Sequence, residues 1–459
     1  MSSQEIRAGL VLSWLLLAEP VLSQEQAPQP TASDEAETKS EVEPEQPAKP
    51  PWWKDLSWKW GGYLKGKGGI NWPSDTSYFA PVSTSPQYDG DIEFRLKNTT
   101  QFGPRFSLET HYEAVLAGGD TRKRSFRLAE EDPYLGAYAL ARIQPVDDRR
   151  RLMDLTAVIS RSDGYVLNNR LDRLVLTYKP DWGFVRVGRQ AITWGNGLLF
   201  SPMDIFDPFA PTDIEREYKL GEDLVSVQVP SQWGEFQVLG VVRREPLTHD
   251  VEMSQSSLAG KWHRELGKIN LDVMAARHYT DDVIGFGAVG DVGGASWRLD
   301  ATYTFLNETS NQAGYLALVT NIDYSWVWHS KNFYGNAEFY FDGLGTNDYS
   351  FGSMDPALVA RLARGEMFTA GRYYVDGTLQ VELHPLLNVY LTSIVNLHDP
   401  SGLLQPRGIW SILTDLQLTF GANVVWGKPG TEFGGVYIPY TPYTNRAPRG
   451  VFLWLSYYF

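Results

Sequence analysis

The residues most able to do chemistry in this chain are charged side chains set among aromatic ones, and one stretch that combines them while breaking the surrounding pattern runs from Gly195 to Leu220. It carries Asp204, Asp207, Asp213, Glu215, Arg216 and Glu217 among Phe200, Phe206, Phe209 and Tyr218. Such a mixture suits a segment that packs rings on a wall and presents charge to water. Ser201 before Pro202 offers a helix cap with proline at the first helical position. Thr212 with Glu215 three residues on forms a capping box, so a short helical element is expected here.

A second set of charges alternates with apolar residues over much of the chain. Glu93, Arg95 and Lys97 come first, then Glu109, His111 and Glu113, then Arg173, Arg243, Arg298 and Asp300. Asp323, Glu338, Asp342, Asp376 and Glu382 crowd the later part. A basic wall facing an acidic one would impose a transverse field that orients dipolar or zwitterionic solutes. Local pairing of Arg95 and Lys97 with Glu109 and Glu113 is the competing expectation.

Catalytic patterns are missing. The sequence has no zincin pair, Gly-rich phosphate loop or nucleophile elbow, its seven histidines are scattered, and it has no cysteine. His111 beside Glu109 and Glu113 suggests a metal ligand or base, but a hydrogen-bonded histidine on a wet face explains it more simply. No enzyme, cofactor or resident metal is expected. The net charge of -14 argues against nucleic-acid binding, which needs basic surface.

The elements that must position these charges have a spacing of two. Ile92, Phe94 and Leu96 share one face against Glu93, Arg95 and Lys97, and Trp297, Leu299, Ala301 and Tyr303 oppose Arg298, Asp300 and Thr302. The strands are long enough to cross a bilayer at a tilt, and their apolar faces finish in Trp and Tyr, as at Trp326, Trp328 and Tyr373. Tight turns fall at Gly103-Pro104, Asp181 to Gly183, Ser231 to Gly234, Glu265 to Gly267, Gly293-Gly294, His329 to Lys331, His384-Pro385 and Thr414-Asp415. Long polar connections alternate with them, near 73–90, 118–165, 194–220, 245–253, 343–369 and 428–448. That layout implies an all-β fold, a transmembrane antiparallel up-and-down barrel of about 18 strands (about 16 to 20) with a short helical loop turned inward. Leu152 to Ser160 is ambiguous between a loop hairpin and an additional strand pair.

A barrel of that width holds water or a plug, which makes transport the default class, and residues 195–220 are the expected constriction. Arg122, Lys123, Arg124, Arg127 and Arg149 to Arg151, in the loop after Gly118, offer contacts to lipopolysaccharide phosphates, or simple solvation. The N-terminus divides into a signal peptide over 1–23, with the apolar run Gly9 to Ala18, and an acidic Pro/Glu-rich disordered lead over 24–50. The barrel then occupies 51–459.

The last strand places Val451, Leu453, Leu455, Tyr457 and Phe459 on one face. It resembles the C-terminal assembly signature of bacterial outer-membrane proteins. That resemblance implies that Phe459, with Tyr457, is recognised by the barrel-assembly machinery and that the chain resides in the outer membrane of a Gram-negative bacterium. Phe452, Trp454 and Tyr458 depart from the pattern by making the opposite face aromatic as well. The block Gly188 to Gly195 (GRQAITWG), with LLFSPMDIFDPFAPTDIEREY after it, is similar to segments of porin-like proteobacterial barrels of poorly defined function. Together these features imply a porin or substrate-selective channel for small hydrophilic solutes or ions. The alternatives are a sheath around a periplasmic or cytochrome partner, such as a multihaem cytochrome in an electron conduit, and an export conduit.

Overall fold

The computed structural model describes residues 56–208, 210–211, 218–307, 310–350 and 352–459. The expected signal peptide and lead lie outside the described residues, as do Phe209, Thr212, Asp213, Glu215, Arg216 and Glu217.

The strands are β1 (Leu56–Trp72), β2 (Gln87–Phe102), β3 (Phe106–Gly119), β4 (Thr156–Arg161), β5 (Tyr165–Tyr178), β6 (Phe184–Gln190), β7 (Glu222–Ser231), β8 (Gly234–Val241), β9 (Ser257–Leu266) and β10 (Ile269–His278). They continue as β11 (Asp281–Val292), β12 (Ala295–Phe305), β13 (Gly314–Trp328), β14 (Lys331–Asp342), β15 (Tyr373–His384), β16 (Leu387–Asn396), β17 (Ser401–Leu413), β18 (Leu416–Trp426) and β19 (Arg449–Tyr458). Each pairs antiparallel with its sequence neighbour, except that β3 pairs with β5 across β4. β1 closes the sheet on β19, with Tyr63 opposite Tyr458 and Trp72 opposite Arg449. The result is a closed 18-strand antiparallel barrel.

β4 resolves the ambiguity around 152–160. It pairs only with the loop end of β5, from Val166 to Arg170, where the short β6 does not reach, because β6 pairs with β5 only over Leu174–Tyr178. A seven-residue strand leaves a gap in the wall, and β4 fills it.

All eight expected tight turns join strands at one end of the barrel, where β1 begins and β19 finishes. Gly103, Gly267 and Gly293 adopt φ of 70°, 66° and 61° in three of these turns, the left-handed region that glycine enters without strain. The other end bears the long connections, but two joins there are short: residues 279–280 between β10 and β11, and 397–400 between β16 and β17. Helices occur only at this end among the described residues: α1 (Asp120–Glu131), α2 (Pro133–Arg142) and α3 (Pro356–Arg364). Asp132 caps α2 by accepting hydrogen bonds from the Tyr134 and Leu135 amides, and Asp355 caps α3 through the Ala357 amide.

Side-chain parity follows the sequence pattern. Ile92, Leu64, Leu453, Leu455 and Tyr457 point outward and are exposed, whereas Lys65, Arg95, Glu113 and Asp300 point inward and are buried. Trp58, Trp60, Trp182, Trp233 and Trp328 are exposed at the turn end, and Trp72, Tyr88 and Tyr373 at the loop end, so aromatic rings ring both rims of an apolar band. The apolar core lies inside the barrel on one side. Leu224, Leu239, Val241, Ala259, Met274, Ala276 and Val283 from β7 to β11 pack against Ile192, Trp194, Met203 and Phe206 of the connection that follows β6.

Candidate functional site

The described part of that connection, residues 191–208, 210–211 and 218–221, crosses the lumen. Its first landing point is β12, where Asp300 accepts hydrogen bonds from the Asn196 amide (2.5 Å), the Asn196 side chain (2.8 Å) and the Gly197 amide (3.2 Å). Its second is β14, where the Glu338 carboxylate accepts the successive amides of Leu198 (2.7 Å), Leu199 (3.1 Å) and Phe200 (2.7 Å) and the Asn321 side chain (2.9 Å). Three consecutive amides converge on this one carboxylate, a concave donor array of the kind that holds an anion. Beyond it, the Phe200 ring stacks on Tyr340 at 4.3 Å and on Tyr374 at 5.4 Å, which carries the contact on to β15.

The wall makes room for this crossing. Gly285 and Gly287 face inward on β11, and a side chain at Gly287 would lie 2.8 Å from the Asn196 amide group and 3.1 Å from the Met203 sulfur. Two inward glycines at a spacing of two therefore mark where the segment lies against the sheet. On the outgoing leg Trp194 donates to Gln237 (2.6 Å) and meets Phe206 of the later part edge-on at 5.6 Å. Lys219 donates to both oxygens of Asp204 (2.7 Å) and to the Ile192 carbonyl (2.6 Å), which ties the two legs of the loop together. Burial pushes the Asp204 carboxyl up to about 6 against the pull of Lys219, so the pair carries both charges only above that pH.

The described part of the segment is less helical than expected. At Ser201 there is a single turn, closed by the Asp204 amide on the Ser201 carbonyl (3.0 Å). Asp207 then takes a φ of 48°, which ends any helical run, and Pro208 and Pro211 follow. Asp207 accepts from Arg151 (3.3 Å), a residue of the long loop after β3.

Near its end the segment reaches the opposite wall. Tyr218 stacks on Tyr63 of β1 at 6.5 Å and lies under two cations of β2, Arg95 at 4.6 Å and Lys97 at 4.1 Å, and Lys97 donates to its hydroxyl. This wall is an ion-pair network. Arg95 holds Glu113 (2.8 Å) and Asp172 (2.5 Å), Glu113 holds Arg170 (2.8 Å), Asp172 holds Arg173 (2.7 Å), and Lys67 holds Asp91 (3.2 Å) and lies 3.7 Å from Glu93. Asp172 was not singled out from the sequence because it breaks parity. His111 opposes Arg173 and Tyr112 opposes Leu171, which makes Asp172 the extra residue of a β-bulge and turns two successive side chains inward. His111 bridges Glu109 (3.1 Å) and Arg95 (3.3 Å), the hydrogen-bonded state expected of it. No group of three or more potential metal ligands occurs among the described residues.

The remaining sequence candidates divide into pairs and anchors. Arg298 pairs with Asp323 (2.6 Å), and Arg243 with Glu222 (3.3 Å), while Glu382 accepts from Asn332 (2.9 Å) at the turn end. Asp342 takes the Tyr340 hydroxyl (2.7 Å) and the Leu344 amide (2.8 Å). The expected basic wall is thus locally neutralised, and Asp300 and Glu338 hold chain rather than face cargo. Asp376, directly opposite Glu338 on β15, is buried, with no hydrogen-bond partner for either oxygen among the described residues.

Loop arginines also act within the chain. Arg122 donates to the Ser162 carbonyl (2.7 Å), Arg124 to those of Ser85 and Pro86 (2.6 and 2.7 Å), Arg127 pairs with Glu131 (2.7 Å) and Arg149 with Asp147 (2.7 Å). Arg361 of α3 binds Asp281, and Arg364 binds Glu366 (2.5 Å). Burial alone would raise the Glu366 carboxyl, but Arg364, His278 and Arg361 hold it well below the usual carboxylate range.

No family model matches the sequence, and no curated protein matches it. Among solved structures, Pseudomonas aeruginosa OccK5 (OpdH) superposes with a TM-score of 0.50 at 9% identity, over 89% of this chain and 98% of that one. Acinetobacter baumannii OccAB3 does so with a TM-score of 0.50 at 9% identity, over 88% of this chain and 99% of that one. At such identity the likeness is one of fold, the barrel of outer-membrane porins.

Proposed function

We propose that this chain is an outer-membrane channel for small hydrophilic solutes or ions, with residues 191–221 as its constriction. The observation that carries this reading is the position of that segment. It leaves the wall after β6, fastens to Asp300 and Glu338 on the far side of the barrel, and returns past Tyr63 and Arg95. A loop so placed narrows the lumen without sealing it by a separate domain. The exposed apolar band between aromatic rims supports a site in lipid, and with tight turns at one end and long connections at the other it supports a Gram-negative outer membrane with the loops outward. On this reading Phe459 and Tyr457 address the assembly machinery, lipid and lipopolysaccharide surround the wall, and no reaction is catalysed. A sheath around a cytochrome is less well supported, because the chain's own segment takes up the space a partner would fill.

Liposome swelling tests the proposal. Vesicles containing the purified protein should admit small sugars such as arabinose and exclude much larger oligosaccharides. Vesicles that remain impermeable to every small solute, with the protein folded, would refute it.

A further inference from the structure

Asp376 stands apart from the other buried acids of the barrel. It is 3% exposed, and among the described residues it is the one buried carboxylate with neither oxygen hydrogen-bonded. Asp281, Asp300, Glu338, Asp342 and Glu432 are comparably buried, and each accepts from amides, a hydroxyl or an arginine. The place of Asp376 adds to the cost. It lies directly opposite Glu338 of β14 on one side and Ile394 of β16 on the other, so it faces a second acid and an aliphatic side chain.

The segment that fastens to Glu338 is what closes this corner. Its Leu198, Leu199 and Phe200 amides bind the Glu338 carboxylate, and the Phe200 ring stacks on Tyr340 and Tyr374, the inward residues two positions along from Glu338 and Asp376. Phe200, Tyr340, Tyr374 and Ile394 form one apolar cluster, with Leu199 packed against it. Ionised or neutral, a carboxyl in such surroundings has lost its water and gained no partner, which costs free energy. Docking the segment therefore has two opposed effects. It gives Glu338 its three amide donors, and it strips Asp376 of water. Lifting the segment reverses both.

We infer that Asp376 is a positioning residue that works against Glu338, keeping the docking of residues 191–221 reversible and so setting the size limit of the pore. The inference rests on the channel reading for its consequence, since a segment that lifts lets larger solutes pass. The opposition of the two acids does not itself depend on conduction. With Glu338 alone the wall would hold the segment shut. An uncompensated acid beside it cancels part of that stabilisation and leaves the docked and lifted arrangements close enough in free energy to exchange.

The chain has no cysteine, so a single Ile394→Cys reports on this corner in the full barrel in detergent. Ile394 is 1% exposed with the segment docked, and its rate of labelling by a small water-soluble methanethiosulfonate follows the lifted fraction. Against that background Asp376→Leu should slow labelling about 5- to 100-fold, the scale of relieving one unsatisfied buried group. Asp376→Ala should also slow it, whereas loss of packing alone would speed it. Glu338→Gln should speed labelling, and adding Asp376→Leu should bring the rate part of the way back. A purely structural aspartate would give no such recovery. Labelling that is unchanged or faster in both the leucine and the alanine variants would overturn the inference, even in a barrel that conducts. Slowed labelling in a barrel that never conducts would support it and count against the channel reading alone.

Discussion

Replacing Glu338 with glutamine should unfasten the constriction while leaving the wall nearly the same shape. Glu338 is surrounded by four donors: the Leu199 and Phe200 amides on one oxygen, and the Leu198 amide and the Asn321 side chain on the other. A glutamine can satisfy one of those oxygens only by turning its own NH2 toward the other pair of donors. Asn321 can rotate its amide to accept, but the Leu198 amide then faces the glutamine NH2 in place of a carboxylate oxygen. An unsatisfied buried donor costs about 1–3 kcal/mol, and loss of charge from the other contacts about 1 kcal/mol more. The sum, about 2–4 kcal/mol, lowers the ratio of docked to undocked segment about 30- to 700-fold. In a planar bilayer the variant should show a raised conductance or frequent transitions to a larger level, and protease should cut the segment more readily. A Glu338→Gln trace that matches the wild type in level and noise, with unchanged proteolysis, would refute the anchoring role.

Gly287→Val should displace the same segment from the other side, because its Cβ would meet Asn196, Asp300 and Met203, at a cost of about 1–3 kcal/mol and a lower thermal midpoint; an unaltered midpoint and conductance would contradict this. Glu366 gives a pH signature. Its depressed pKa means that the stabilisation is present above the usual carboxylate value and is lost as pH falls through the depressed one, so Glu366→Gln should lower the thermal midpoint at pH 7 and converge with the wild type in strong acid. A constant difference down to the acid limit would count against that assignment. Phe459→Ala should reduce assembled protein in cells far more than it changes the refolded barrel, since the ring is half exposed, lying over Gly62 and about 6 Å from the Phe94 and Tyr457 rings. Equal loss of assembly and of refolded stability would point to a packing role instead.

The wall was legible because its signal is local. The turns and inner charges such as Glu93, Arg95 and Lys97 follow from a spacing of two, which a strand imposes on every residue. The inward segment was legible for a related reason: residues 195–220 interrupt that spacing with aromatic and acidic residues. What escaped is non-local. Asp300 and Glu338 look like lumen charges in the sequence, and only their distance from the amides of 196–200 reveals them as anchors. Asp172 is hidden by a bulge, and β4 by pairing only where β6 falls short. The Gly285 and Gly287 pair was a usable signal, since inward glycines at a spacing of two imply a close approach of other chain.

Single-channel recording of the purified chain, beside a variant that lacks residues 201–217, tests the central claim most directly. The wild type should conduct in discrete steps, and the deletion should give steps of clearly larger conductance through the same barrel. Steps of equal size in the two proteins would contradict a constriction built from this segment, and a folded wild type that never conducts would contradict the channel itself.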